Sequence, residues 1–254
     1  MSEIRFTDTH CHIHDLEFFP SGGEGLYERA LKAGVGRMIC VGTDVTSSRA
    51  AFSFANDHDG SYVTLGIHPH EAKLGLRAVD ELEAMMADNS KIVGIGEVGL
   101  DYYYDNSPRT VQQDMLHAQI ELAQRYDLPL NFHVRSAFDD FWPIFDEYQG
   151  LKGVLHSYTD NQQNLEAALS RGLYIGTNGI VTFASDRQDI TKTIPLDRML
   201  LETDAPFLTP KPYRGKINEP AFVINIAQFV ADLRSISLEE LSHETEKNAQ
   251  KLFF

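Results

Sequence analysis

The residues able to do chemistry fall in short clusters: Asp8-Thr9-His10-Cys11-His12, Gly66-Ile67-His68-Pro69-His70, Gly96-Glu97-Val98-Gly99-Leu100-Asp101, His133 with Arg135, His156, and Glu202-Thr203-Asp204. Six of these side chains, His10, His12, Glu97, His133, His156 and Asp204, are metal-competent. A mixed imidazole and carboxylate set suits Zn, Mn, Fe or Ni, whereas a site short of imidazoles would lean towards Mg. Six protein ligands are too many for one ion that must also hold water and substrate. Two ions about 3.5–4 Å apart, sharing one carboxylate, use the set better. Glu97, central in chain order, is the candidate bridge. Each part alone has an ordinary reading. A His-x-His pair is often plain surface or a turn cap, His133 and His156 would pass for satisfied core histidines, and Asp204 for a turn residue before Pro206. The metal reading rests on their joint placement at the ends of strands.

Those strands are short apolar runs bounded by Gly, Pro or polar residues, the form expected of strands buried on both faces. They are Ile4–Thr7, Arg37–Val41, Tyr62–Gly66, Ile92–Gly96, Leu130–His133, Gly153–His156, Leu173–Gly176 and Met199–Glu202. Helix signals lie between them. Gly34 and Gly172 close the helices of Leu26–Ala33 and Asn164–Arg171 as C′ glycines. Ser107-Pro108 reads as an N-cap and first-turn pair, and Ser237 with Glu240 as a capping box before the last helix. Strands alternating with helices predict an α/β fold, a TIM-like (β/α)8 barrel, as a single domain over residues 1–254. An open doubly wound sheet is the alternative, weakened because no Gly-rich dinucleotide fingerprint follows any strand. In a parallel barrel the C-terminal strand ends converge on one face, which would gather all six candidate ligands at one mouth.

Composition narrows the function classes. The chain has 254 residues, 43% of them hydrophobic, enough for one large core. Its 22 basic and 37 acidic residues leave a formal charge of −15, which argues against broad electrostatic binding to a polyanion while permitting a local basic rim. Two cysteines make no disulfide framework, no apolar leader opens the chain, and no uncharged apolar run is long enough to span a bilayer. The expectation is a cytoplasmic protein without membrane association; nothing in the sequence demands an oligomer.

The clusters, in this order, resemble the motifs of the TatD-family metal-dependent nucleases. Leu130-Asn131-Phe132-His133-Val134-Arg135, Leu155-His156-Ser157-Tyr158, Glu202-Thr203-Asp204-Ala205-Pro206 and Asn218-Glu219-Pro220-Ala221 extend the match over almost the whole chain. The resemblance implies a barrel of the amidohydrolase-related type and a divalent-metal-dependent deoxyribonuclease. It implies that His10, His12, Glu97 and Asp204 hold one metal and Glu97, His133 and His156 the other, Mg, Mn or Zn. His68 falls where the family has a substrate-side histidine near the scissile phosphate. Two positions depart: Ile217 replaces a common basic residue, and His14 a common Asp.

Hydrolysis of a phosphodiester needs in-line attack of water and stabilisation of charge on the phosphoryl oxygens, which two divalent ions can supply. Glu97 and Asp204 are the expected catalytic carboxylates, Asp204 as general base. Asp8 and Asp101 could orient ligating imidazoles or be solvated strand-end acids. Arg135 and the basic loop of Lys211, Arg214 and Lys216 are candidate phosphate contacts; Tyr102, Tyr103 and Tyr104 are expected to pack at the rim, with base stacking the lesser reading. Cys11 is expected in the core, and His58, His117 and His243 at the surface. The function predicted is a two-metal hydrolase, a deoxyribonuclease acting 3′ to 5′ on single-stranded DNA ends. The alternatives are another ester hydrolase, such as an aminoacyl-tRNA deacylase or a phosphatase, or a metal-binding adaptor without turnover.

Overall fold

The apolar runs form eight strands: β1 (Phe6–Cys11), β2 (Val35–Val41), β3 (Ser61–Leu65), β4 (Ile92–Asp101), β5 (Leu130–Arg135), β6 (Gly153–Leu155), β7 (Tyr174–Thr177) and β8 (Met199–Leu201). This is a computed structural model, describing residues 4–86 and 90–254. The strands pair in chain order, every neighbour parallel. Among the described residues, α-helices alternate with them: α1 (Glu24–Lys32), α2 (Val45–Asp57), α3 (Arg77–Glu83), α4 (Arg109–Arg125), α5 (Phe138–Asp146), α6 (Gln162–Ser170), α7 (Ser185–Thr193), α8 (Val223–Arg234) and α9 (Leu238–Phe253). None is long and apolar enough by itself to cross a membrane.

The ring closes just beyond β8. Cys11 and Ala205 form a parallel bridge, Asp204 N–H donates to the His10 carbonyl at 2.8 Å, and His12 N–H to the Ala205 carbonyl at 2.7 Å. Closing the barrel therefore sets Asp204 beside His10 of β1 and His12 just after it. Strand alternation separates two packing layers. Met38, Cys40, Leu155, Met199 and Leu201 pack in the cluster that includes the helices. Ile39, Val41, Val154 and Leu200 point the other way and meet Ala249, Leu252 and Phe253 of α9.

Two strands run further than their apolar residues suggest. β1 continues through His10 to Cys11, and β4 through Glu97 to Asp101. Both carry an extra residue against their neighbour. Between Asp8 and Cys11 three steps of β1 face two of β2 (Met38 to Cys40), and between Ile95 and Val98 three steps of β4 face two of β5 (Leu130 to Phe132). Such bulges re-aim the side chains within them, and here those include His10 and Glu97.

Gly34 and Gly172 end α1 and α6 with φ of +93° and +78°, and the Ser237 side chain accepts from Glu240 N–H to cap α9, as the sequence predicts. Ser107 does not cap a helix. α4 starts at Arg109 with Pro108 as its N-cap residue, while Ser107 Oγ donates to the His70 carbonyl at 2.8 Å and accepts from Lys73 N–H at 3.2 Å. It ties the loop after β3 to the loop after β4.

Candidate metal centre

All six expected ligands meet at the C-terminal mouth. His10, in β1, and His12, just past its end, face the donor set, while Cys11 between them is buried on the other side, its thiol 3.5 Å from the Ile39 carbonyl. Nε2 of His10 and Nε2 of His12 are 3.3 Å apart. Each is 3.6 Å from Asp204 Oδ1, and they lie 3.6 and 4.0 Å from Glu97 Oε2. On the other side, Glu97 Oε1 is 2.8 Å from His133 Nδ1 and 3.0 Å from His156 Nε2, nitrogens that are themselves 3.4 Å apart. The two oxygens of Glu97 thus face two separate donor groups.

This arrangement fits divalent cations. Donors about 2.0–2.2 Å from a shared ion stand roughly 3.0–3.6 Å from one another, close to the observed separations. The facing nitrogens of His10 and His12 are also explained by a cation between them, since both lone pairs then point at positive charge.

The far side of each ring sets its tautomer. His12 Nδ1–H donates to the Val41 carbonyl at 2.8 Å, leaving the Nε2 lone pair free. His133 Nε2–H points at Asp101 Oδ2 at 3.2 Å, leaving Nδ1 free. Asp101 Oδ2 also takes His70 Nε2 at 2.9 Å, and its Oδ1 accepts from Tyr103 and Tyr104 N–H at 2.9 and 3.0 Å. His10 Nδ1 lies 3.3 Å from Asn131 Oδ1, and His156 Nδ1 lies 3.5 Å from Glu202 Oε1. His68 differs: its Nδ1 accepts from His70 N–H at 3.1 Å, so the neutral ring carries its proton on Nε2, 3.5 Å from Glu97 Oε1. That ring presents a donor rather than a lone pair.

Burial alone would raise the Glu97 and Asp204 carboxyls. The surrounding histidines, His68 and His156 at Glu97 and His12 at Asp204, instead hold both below the usual range. Burial opposes charge on the rings as well, and it prevails at His10, beside His156, and at His68, pulled down to about 4. At His12, His133 and His156 the neighbouring carboxylates outweigh burial and raise the ring: chiefly Asp204 at His12, Asp101 and Glu97 at His133, and Glu97 with Glu202 at His156. The site is a dense set of ionised acids and imidazoles.

Several expectations need correcting. Asp8 orients no imidazole: its Oδ1 accepts from Thr203 N–H at 2.8 Å, its Oδ2 pairs with the Thr203 hydroxyl at 2.5 Å, and burial pushes its pKa up to about 8. It ties β1 to the segment after β8. The expected phosphate role of Arg135 and Arg214 is not overturned: the Arg135 guanidinium lies over the Tyr103 and Tyr104 rings at 4.1 and 4.8 Å, and that of Arg214 over Phe183 at 3.9 Å. Tyr102 packs as expected, donating to Asp140 Oδ2 at 2.8 Å, whereas Tyr103 and Tyr104 are largely exposed. Of the three histidines expected at the surface only His243 is fully exposed; His58 stacks on Phe54 at 3.9 Å and His117 bonds the Tyr148 hydroxyl at 2.7 Å. Asn131 and Glu202 are neighbours of the site that the motifs alone do not single out. Each lies two residues before a candidate ligand, His133 or Asp204, and that spacing was the available signal.

Comparison with known proteins agrees with this geometry. Residues 7–254 match the family described as TatD related DNase. The chain is 36% identical over 254 residues to the metal-dependent hydrolase YabD of Bacillus subtilis, covering 97% of this chain and 98% of that protein. It is 36% identical over 245 residues to the 3′-5′ ssDNA/RNA exonuclease TatD of Erwinia tasmaniensis, covering 92% and 95%. The crystal structure of the TatD homologue YjjV from Escherichia coli superposes with a TM-score of 0.91 at 30% identity, over 98% of each chain. Barrel, donor set and near full-length similarity converge: the chain belongs to the TatD-related DNase family of metal-dependent hydrolases.

Proposed function

We propose that this protein is a two-metal phosphodiesterase that removes nucleotides from the 3′ ends of single-stranded DNA. The observation that carries the reading is the split of Glu97, one oxygen towards His10 and His12, which also face Asp204, and the other towards His133 and His156. His10, His12, Glu97 and Asp204 would hold one divalent ion, and Glu97, His133 and His156 the second. When bound, the ions polarise the phosphate and make water acidic enough to lose a proton near neutral pH.

The remaining chemistry belongs to the chain. Asp204 stays ionised, so it can accept the proton of the attacking water. Its backbone is held at φ +56°, a left-handed conformation that Asp tolerates, by the bond to the His10 carbonyl. His68, neutral and with its proton on Nε2, can donate to a phosphate or leaving-group oxygen on the His133 side. One chain supplies the whole set, so the reading requires no second copy. Support for the substrate comes from the family and from the exonuclease named in the Erwinia tasmaniensis relative.

The test is digestion of end-labelled single-stranded DNA by metal-stripped protein with Mg, Mn or Zn restored. A ladder advancing from the 3′ end only with metal is the expected result. No cleavage with any metal, on protein that binds two ions and hydrolyses an acyl ester or a phosphomonoester, would overturn it.

A further inference from the structure

Among the described residues the exposed large aromatics are Tyr103, Tyr104, Tyr126, Phe207 and Phe254. Three of these five stand beside the donor set, Tyr103 and Tyr104 next to His70 and Phe207 next to His12. On the His133 side, Tyr104 packs edge-on to His70 at 5.4 Å and to Tyr103 at 4.9 Å, with the Arg135 guanidinium over both tyrosines. Both backbone amides are anchored on Asp101, the carboxylate that also holds His133. On the His12 side, the Phe207 ring lies 6.3 Å from the His12 ring and 5.2 Å from Phe18. Its backbone N–H donates to the Asp204 carbonyl at 2.8 Å. Each platform is therefore tied to a residue of the proposed metal site, and both are held open to solvent.

Exposed apolar surface beside a reaction centre marks a ligand contact. The chemistry of these rings narrows the ligand. A chain of charge −15 draws little affinity from long-range attraction to a polyanion, so short-range contacts to the bases near the metals gain weight. Unpaired bases offer a π-face to aromatic rings and to guanidinium planes alike. A paired base, stacked inside a duplex, cannot present that face.

We propose that the unpaired bases flanking the scissile phosphate stack on these two platforms, one on Tyr103–Arg135–Tyr104 and the other on Phe207. The proposal rests on the nuclease reading above and adds the basis of its preference for single strands.

The test is a double-mutant cycle between protein and substrate, with metals loaded. The wild type, Phe207→Ala, and Tyr103→Ala combined with Tyr104→Ala are compared on a short single-stranded oligonucleotide. The same strand is then used with an abasic residue on either side of the cleaved linkage. Each ring deletion should raise KM by about fivefold to a hundredfold, the range for loss of one base–aromatic stack. The aromatic replacements Phe207→Tyr and Tyr103→Phe with Tyr104→Phe should retain binding. An abasic residue on the matching side should weaken the wild type equally and cost nothing further in the variant. Equal abasic penalties in wild type and variants, on a strand the wild type cleaves, would overturn the stacking while leaving the nuclease reading intact. A wild type that cleaves no strand would overturn both.

Discussion

Gly66→Ala is the sharpest test of how the barrel positions Glu97. A Cβ at Gly66 would lie 2.6 Å from the Glu97 amide nitrogen and 2.8 Å from its carbonyl oxygen. Carbon contacts settle at about 3.5 Å or more, and the Gly96 carbonyl carbon is closer still, so the two backbones must part by roughly 1 Å. Neither is free to move. Glu97 N–H donates to the Gly42 carbonyl at 2.9 Å, and the Gly66 amide and carbonyl lie 3.3 and 3.4 Å from Ser48 Oγ. The φ of Gly66 lies outside the left-handed region, so alanine introduces a purely steric change. Overpacking of this kind costs about 1–3 kcal/mol of stability. The functional effect should be larger, because ligand distances tolerate only about 0.2 Å and a misplacement near 1 Å costs about 100-fold in rate. Metal content by atomic emission, kcat on labelled single-stranded DNA, and thermal unfolding would be measured together. The expected outcome is a folded protein with less than a full metal complement and kcat down by about 10- to 100-fold. The control is Gly25→Ala in α1, where the nearest atom is Arg29 Nη1 at 3.6 Å; it should gain about 0.5–1 kcal/mol and keep its metals. A folded Gly66→Ala with full metal and the wild-type rate would refute the reasoning.

Three other outcomes follow from the same geometry. Asp101→Asn leaves one carbonyl to serve both the His133–His70 side and the Tyr103–Tyr104 amides, so metal affinity should fall about 10- to 100-fold in a chelator competition; unchanged affinity would contradict this role. Asp204→Asn should lower kcat by about 10²–10⁴-fold, and full activity with metals retained would end the base assignment. His14 is buried, with Nδ1 unpartnered and its pKa lowered by burial and by His12 to about 3. Its contribution to stability is therefore complete above the unfolded value near 6.5 and is lost as pH falls towards 3. In metal-free protein the wild type should lose about 2–3 kcal/mol more than His14→Gln between pH 7 and 4.5 by urea unfolding, and equal losses would show that the ring is not buried neutral.

The apolar runs and their glycine stops were enough to read a parallel barrel, because a strand buried on both faces leaves a continuous signature in composition. The six candidate ligands were legible too, since each stands at or just beyond such a run. Less was visible where a residue's role depends on a partner far along the chain. Asp8 reads as either an imidazole's support or a solvated strand-end acid until ring closure sets it against Thr203, 195 residues away. Arg135 reads as a phosphate contact, and only the fold shows that the loop after β4 places two tyrosine rings against its guanidinium. Asn131 shares a strand face with His133, and Glu202 stands two residues before Asp204, yet only packing shows which imidazoles they approach. By itself the sequence determined the donor types, the barrel that gathers them and the family they belong to. The tertiary structure alone decided that His10 and Glu97 sit in strand bulges and that Glu97 faces both donor groups. The reason is physical: a bulge is a mismatch of register between two strands, and no pattern along either one contains it.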